Sequence, residues 1–382
     1  MGKKTKEEKR YIIINIILLL IILTLIVYIY LLIKKNRETI ITGYEYSVNV
    51  IVSTLEVEKN NTEVINASQN KESIVVTIDK DAQSNDEYDF NKINNNKYYY
   101  YQLDANAKLI YDAIEDNLNN MKSGLHQIKL PNSVADILKY SNGDDLLDQS
   151  FQSAWDALSL DRVDMFFIDV SKINLNIKKT TYGNNVSYSL VIAPRDESGY
   201  LEDGLTDEVS VNAVLNQVKN IRDNIVNYIT GDTYNKVLQV HDWIIENLEY
   251  SSNIQNANVY NLYGALIEKS AVCEGYAESF KYILDEIGIP CILVSGRATN
   301  SEGLTENHEW NYVQIDGKWY AIDTTWDDPI VTGFGYVTNS TKHKYFLQGS
   351  KTINENHIAK GKITETGQEF VYPELEKNAY KK

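Results

Sequence analysis

Cysteine is almost missing from this chain, with two residues in 382, Cys273 and Cys291. Two thiols cannot build a disulfide framework, so stability has to come from packing, and they are too few for a cysteine zinc site. Histidine is nearly as sparse: His126, His241, His308, His343 and His357 are the only candidates for an imidazole base. Basic charge is in deficit. The formal net charge is −16, and because residues 1–10 and 34–38 are themselves net basic, the remainder is more acidic still. That balance speaks against nucleic acid as a partner and against charge-driven adhesion to an anionic surface. No repeat of fixed period is present. The acidic stretch "DAQSNDEYDFN" lacks the glycine of a calcium loop, and neither a metal nor another cofactor is expected.

Charge is absent altogether from Tyr11 to Ile33. A helix of that length rises roughly 34 Å, enough to cross a bilayer core. The exit reads Leu31-Leu-Ile-Lys-Lys-Asn, without the small residues of a cleavage site, so a retained transmembrane helix is expected at 11–33. More basic residues precede the span than follow it, which places residues 1–10 in the cytoplasm and the rest outside it. Residues 34–96 are rich in Asn, Glu, Asp, Lys and Ser and read as a flexible stalk, with one apolar run at Ser73–Ile78.

Order is expected from residue 97. Leu103, Ala107, Ile110, Tyr111, Ile114 and Leu118 follow helical spacing, and "SFQSAWDALSLD" reads as a second helix. "MFFIDV", "INLNIKKTTY" and "NVSYSLVIA" read as three strands. Asp203–Glu249 is helical in two pieces split near Gly231-Asp232, the first lined by Val209, Ala213, Leu215, Val218, Ile221, Ile225 and Ile229. An α+β domain over 97–230 and a second domain over 231–382 follow from this pattern.

The stretch "AVCEGYAESF" holds Cys273. From Tyr276 the apolar residues Ala277, Phe280, Ile283, Leu284 and Ile287 describe an amphipathic helix, closed by Gly288 and Pro290. Cys273 falls in its first turn, where unpaired N–H groups and the helix dipole favour thiolate. The residues alone leave three readings open: a packed thiol, a disulfide to Cys291, or a nucleophile.

His308 begins "HEWNYVQIDGKWYAIDTTWDD", two alternating strands about an Asp-Gly turn. With Asp316-Gly317 as a two-residue loop, Ile315 faces Lys318 and Trp310 faces Asp323. His308 and Asp323 then share a face as diagonal neighbours, roughly 7–8 Å apart at Cα. Val313, Ile315, Tyr320 and Ile322 form the other, core-facing side. His241-Asp242 is a rival pair, on adjacent and therefore divergent helical positions.

Together, "VCEGYAESFKYILDEIGIPCILVSGRA", "HEWNYVQIDGKWYAIDTTWDDP", the preceding "HDWIIENLEY" and the following "YFLQGS…FVYPELEKNAY" resemble the bacterial transglutaminase-like superfamily, in its secreted or membrane-anchored members. The likeness spans roughly residues 230–380. It implies an α+β fold with a papain-like core, in which a helix bearing Cys packs on an antiparallel sheet bearing His and Asp. By motif, Cys273 matches the nucleophile, His308 the base and Asp323 its orienting carboxylate. Cys291 matches a position that is often Cys in these relatives. Glu309 departs from the pattern, where a small residue is usual. Tyr263, Trp310 and Trp326 are candidates for the substrate cleft or a second oxyanion donor, beside the backbone N–H of Cys273. The resemblance implies thiol acyl transfer on protein or cell-wall peptides outside the cytoplasm, as a transglutaminase or a cysteine protease. The alternatives are a non-catalytic surface scaffold that keeps the fold, and an amidase on a small or glycosylated substrate.

Overall fold

The computed structural model describes residues 97–182, 184–328 and 342–382. The expected transmembrane helix at 11–33 and stalk at 34–96 lie outside the described residues. Among the described residues no helix is long and apolar enough to cross a membrane.

Helix α1 (Ala105–Met121) is capped by Asp104, whose carboxylate accepts from the backbone N–H groups of Asn106 and Ala107. Such a cap stabilises a helix by ~1 kcal/mol. Its buried stripe of Ala107, Ile110, Tyr111, Ile114 and Leu118 is the one the spacing predicts. Helix α2 (Gly143–Asp161) starts a full two turns before the expected segment. Strands β1 (Ile173–Tyr182) and β2 (Asn185–Pro194) form a hairpin in which Tyr182 pairs with Asn185. A two-residue strand, Ile128–Lys129, completes this sheet against β2. "MFFIDV" is not a strand. Val163–Met165 and Val170–Lys172 are 3-10 turns, joined to Leu201 by a single bridge at Ile168. Val163, Met165, Phe167 and Ile168 are all buried, and a short apolar run suits a packed loop as well as a strand.

Helices α3 (Glu208–Val226) and α4 (Thr233–Asn247) are separated at Gly231, which has a positive φ of 101°. Asp232 caps α4 by accepting from Asn235 N–H. The buried stripe of α3 is Val211, Val218 and Ile225. Val209 and Ala213, expected in that stripe, are exposed, Val209 to 76%, because each lies two positions from Val211, roughly 200° around the helix.

Helix α5 (Cys273–Glu286) lies on a four-stranded antiparallel sheet made of β3 (Cys291–Thr299), β4 (Thr305–Ile315), β5 (Lys318–Ile322) and β6 (His357–Ala359), in the order β5-β4-β3-β6. Tyr276, Phe280, Ile283 and Leu284 of α5 pack against Val313, Ile315, Tyr320 and Ile322 of the β4–β5 hairpin. Each such side chain contributes ~1.5–3 kcal/mol on full burial. Val237, Val240 and Ile244 of α4 and Ile225 of α3 enter the same core, with Ile221, Val226 and Ile229 packed on it. The core therefore runs across position 230, and all described residues fall within one compact unit. The architecture is α+β, with one helix carrying Cys273 against an antiparallel sheet carrying His308.

Candidate active site

Cys273 opens α5 directly after Val272, in extended conformation, as the helical spacing predicts. Both cysteines are free thiols. They differ in surroundings. Cys291 is 0% exposed, and burial pushes its thiol well above the ordinary range, with Lys281 and Asn311 pulling the other way. Cys273 is 9% exposed and stands beside His308, on which it acts both through a hydrogen bond and through charge.

The β4–β5 hairpin delivers the imidazole. Asp316 and Gly317 take positive φ values of 52° and 75°, the geometry of a two-residue type I′ turn. Ile315 pairs with Lys318, Val313 with Tyr320 and Asn311 with Ile322, the register expected from the sequence. Asp323 follows one step beyond the end of β5. His308 Nε2 lies 2.8 Å from Asp323 Oδ2, and Asp323 is fully buried. Burial opposes a charged imidazole. The charge and hydrogen bond of Asp323, and then those of Cys273, outweigh it and raise His308 from 6.5 to about 10. The same pair holds Asp323 well below the usual carboxylate range, against the desolvation that would raise it.

Asp323 also serves a structural role. Its Oδ1 accepts from Trp326 N–H at 3.1 Å and so caps the short helix Thr324–Asp327. Two further carboxylates of this segment fasten it in place. Tyr276 of α5 donates to Asp328 Oδ2 at 2.6 Å, and His241 of α4 meets Asp327 Oδ2 at 3.1 Å. The other nitrogen of His241 is 3.1 Å from Asp242, which is partly exposed, so the buried imidazole of this rival pair is a strut between α4 and the site rather than a partner for the thiol.

Three more carboxyl groups gather on the opposite side of β4. Glu274 and Glu278, one turn apart on α5, face Glu309. Burial first, and mutual repulsion second, push Glu274 and Glu278 above the usual carboxyl range. Burial likewise raises Glu309, although the Ser295 hydroxyl, at 3.0 Å from Glu309 Oε2, and His308 pull it down. Glu309 thus turns away from Asp323 and toward α5. Tyr250 and Tyr260 stand near enough to feel Cys273: burial comes first in raising both phenols, and the charge of Cys273 adds to it.

Among the described residues, two groups of side chains could offer three ligand atoms to a cation, His241 with Asp242 and His343, and His308 with Asp323 and His357. In the second, both imidazole Nε2 atoms point at one carboxylate oxygen, at 2.8 and 3.0 Å. That is an arrangement for N–H donors, and a cation would have to displace both protons.

Residues 219–324 match the transglutaminase-like superfamily. The chain contains a transglutaminase-like domain. The human kyphoscoliosis peptidase (Homo sapiens) is 25% identical over 141 residues, which cover 33% of this chain and 21% of that protein. The mouse protein (Mus musculus) is likewise 25% identical over 138 residues. The chain therefore spans about a fifth of the length of these curated relatives. Among solved structures, the crystal structure of a TGase is 14% identical with a TM-score of 0.28, covering 47% of this chain and 50% of that one. The periplasmic domain of TgpA from Pseudomonas aeruginosa, bound to ethylmercury, is 18% identical with a TM-score of 0.24, covering 37% and 56%.

Of the residues singled out from sequence, Cys273, His308 and Asp323 of the transglutaminase-like domain come together. Trp310 lies on the same face as His308, nearly parallel to it with centroids 5.9 Å apart. It is 1% exposed, and its Nε1 finds no partner among the described residues. Trp326 is half-buried and flanks His308 at 5.4 Å between centroids. Tyr263 opens the π-helical turn Tyr263–Glu268, with its N–H donating to Asn261. Sequence reasoning missed Tyr250, Tyr260 and His357. The third is buried and bonded to Asp323, and no local pattern around it pointed there.

Proposed function

We propose that the chain is a cysteine acyl-transfer enzyme attacking amide carbonyls of protein or peptide substrates. The observation that carries this reading is the His308 imidazole held between the Cys273 thiol and the Asp323 carboxylate, with its Nε2 2.8 Å from Asp323. That leaves Nδ1 as the nitrogen for the sulfur. The thiol proton rests on His308, whose charged form Asp323 favours; the thiolate adds to the carbonyl carbon, and the electron pair collects on oxygen. The N–H of Cys273, in the first turn of α5, is a donor for that oxyanion, and the unpartnered Trp310 Nε1–H is a candidate for the second. Collapse breaks the C–N bond, and the imidazolium gives its proton to the leaving amine. The thioester then passes to an amine or to water, with His308 accepting the incoming proton. Asp323 keeps the imidazole in one tautomer and stabilises its charged form.

In this reading residues 11–33 anchor the domain to the membrane, with its catalytic face outside the cytoplasm. The experiment incubates the full-length chain with candidate surface proteins and a labelled primary amine, followed by mass spectrometry. Amine incorporation that disappears in Cys273→Ala marks transglutamination, and new termini that disappear mark proteolysis. Products unchanged by Cys273→Ala would leave the second reading, a non-catalytic scaffold. One observation favours that reading: Cys273 and His308 are only 9% and 8% exposed.

A further inference from the structure

Asp323 has a second imidazole. His357 lies on β6, which pairs with the far edge of β3, placing Ala298 opposite His357 and Gly296 opposite Ala359. His357 is 2% exposed, and its Nε2 is 3.0 Å from Asp323 Oδ2, the same oxygen that His308 meets at 2.8 Å. With Trp326 N–H on Oδ1 at 3.1 Å, the carboxylate accepts three hydrogen bonds. Trp310, Trp326 and Tyr345 enclose the ring, with centroids 5.0, 4.6 and 5.5 Å away.

The outer nitrogen extends the network. His357 Nδ1 is 2.7 Å from Asn356 Oδ1, and Asn356 Nδ2 donates to Tyr345 Oη at 2.9 Å. A carboxylate only accepts, so the nitrogen that faces Asp323, Nε2, is the donor in that contact.

We infer that His357 is a positioning residue, a second N–H donor that locks Asp323 in the orientation from which it holds His308. The line Tyr345, Asn356, His357, Asp323, His308, Cys273 is then one hydrogen-bonded chain from the turn that carries Tyr345 to the thiol. The inference rests on the proposed role of His308 and Asp323, and it adds a residue that touches neither substrate nor sulfur.

The test compares His357→Leu, which keeps bulk but removes the donor, with His357→Gln, which returns an N–H near the position of Nε2. Two readouts are taken on the full-length chain. One is the low-field proton resonance of the His308–Asp323 bond, identified by its loss in His308→Gln. The other is the alkylation rate of Cys273 by iodoacetamide, with melting temperature as the control for folding. The expected result is a shifted or broadened resonance and about tenfold slower alkylation in His357→Leu, both largely restored in His357→Gln. A resonance and rate unchanged in a folded His357→Leu would overturn the inference. So would a folded His357→Gln that behaves like His357→Leu, since packing alone would then explain the residue. A resonance displaced in His357→Leu and restored in His357→Gln, with wild-type Cys273 no more reactive than Cys291, would keep the positioning role and remove the catalytic reading instead.

Discussion

His308 and Asp323 stand at the open end of one hairpin, fifteen positions apart in sequence, and meet at 2.8 Å. Asp316 and Gly317 at the closed end set that meeting, because their turn fixes every pair from Ile315–Lys318 to Asn311–Ile322. Inserting one residue into the turn shifts the register and moves Asp323 to the other face. The variant is expected to lose Cys273-dependent acyl transfer, as read by amine incorporation, while a conservative Lys318→Arg change at the exposed first position of β5 is not.

The carboxylate can be tested without changing its shape. Asp323→Asn keeps the cap on Trp326 but ends the charge that raises His308. Activity is expected to fall by about 10²–10⁴-fold, the range typical for loss of acid–base function. Activity within threefold of wild type would remove Asp323 from the mechanism.

The imidazole carries a pH signature. His308 titrates near 6.5 when unfolded and about 10 when folded, so its charged form stabilises the fold. That contribution is fully present below pH 6.5 and is lost as pH rises toward 10. The melting-temperature advantage of wild type over His308→Gln should therefore shrink between pH 6.5 and 10. Asp323 works in the opposite sense, with its contribution present above the ordinary carboxylate range and lost only in strong acid. An advantage that is flat across the neutral to alkaline window would contradict the pair.

The carboxyl cluster of Glu274, Glu278 and Glu309 predicts the reverse of the usual acid denaturation. All three are raised, so each favours folding when protonated, fully below about pH 4.5, and costs stability as pH rises. Glu309→Gln removes one charge and its repulsion. It should raise the melting temperature by about 2–4 °C at pH 8.5, equivalent to ~1 kcal/mol, and much less at pH 5. An equal gain at both pH values would show that the three do not share charge.

Gly296 is the price of the second imidazole. A Cβ there would come 2.2 Å from the Ile358 carbonyl oxygen and 2.8 Å from the Trp310 ring. Gly296→Ala is expected to destabilise the fold by about 1–3 kcal/mol and to slow Cys273 alkylation by loosening β6, and with it His357. Wild-type melting and alkylation would show that β6 needs no such close approach.

How much of this was legible in the sequence depends on how far apart the partners lie. The helix start at Cys273 and the His308–Asp323 face were readable because period and turn chemistry are local. Glu309 could also be placed, by alternation alone, on the face away from Asp323. His357 was not readable. It reaches the site on a three-residue strand whose pairing with β3 depends on Gly296 and on packing with Trp310, none of which leaves a periodic trace. Helical spacing showed that α3 has an apolar stripe but not that Ile225 and Ile221 join the core of α4 and α5. "MFFIDV" misled because strong apolar character without alternation does not distinguish a strand from a buried turn.

The most direct measurement is competitive alkylation of the two native cysteines. Full-length protein is treated with limiting iodoacetamide at pH 7, and the Cys273 and Cys291 peptides are quantified by mass spectrometry in wild type and in His308→Gln. Cys273 is predicted to label at least about tenfold faster than Cys291, an advantage that His308→Gln abolishes. Equal labelling of the two thiols, or a Cys273 preference untouched by His308→Gln, would contradict a working Cys273–His308–Asp323 site.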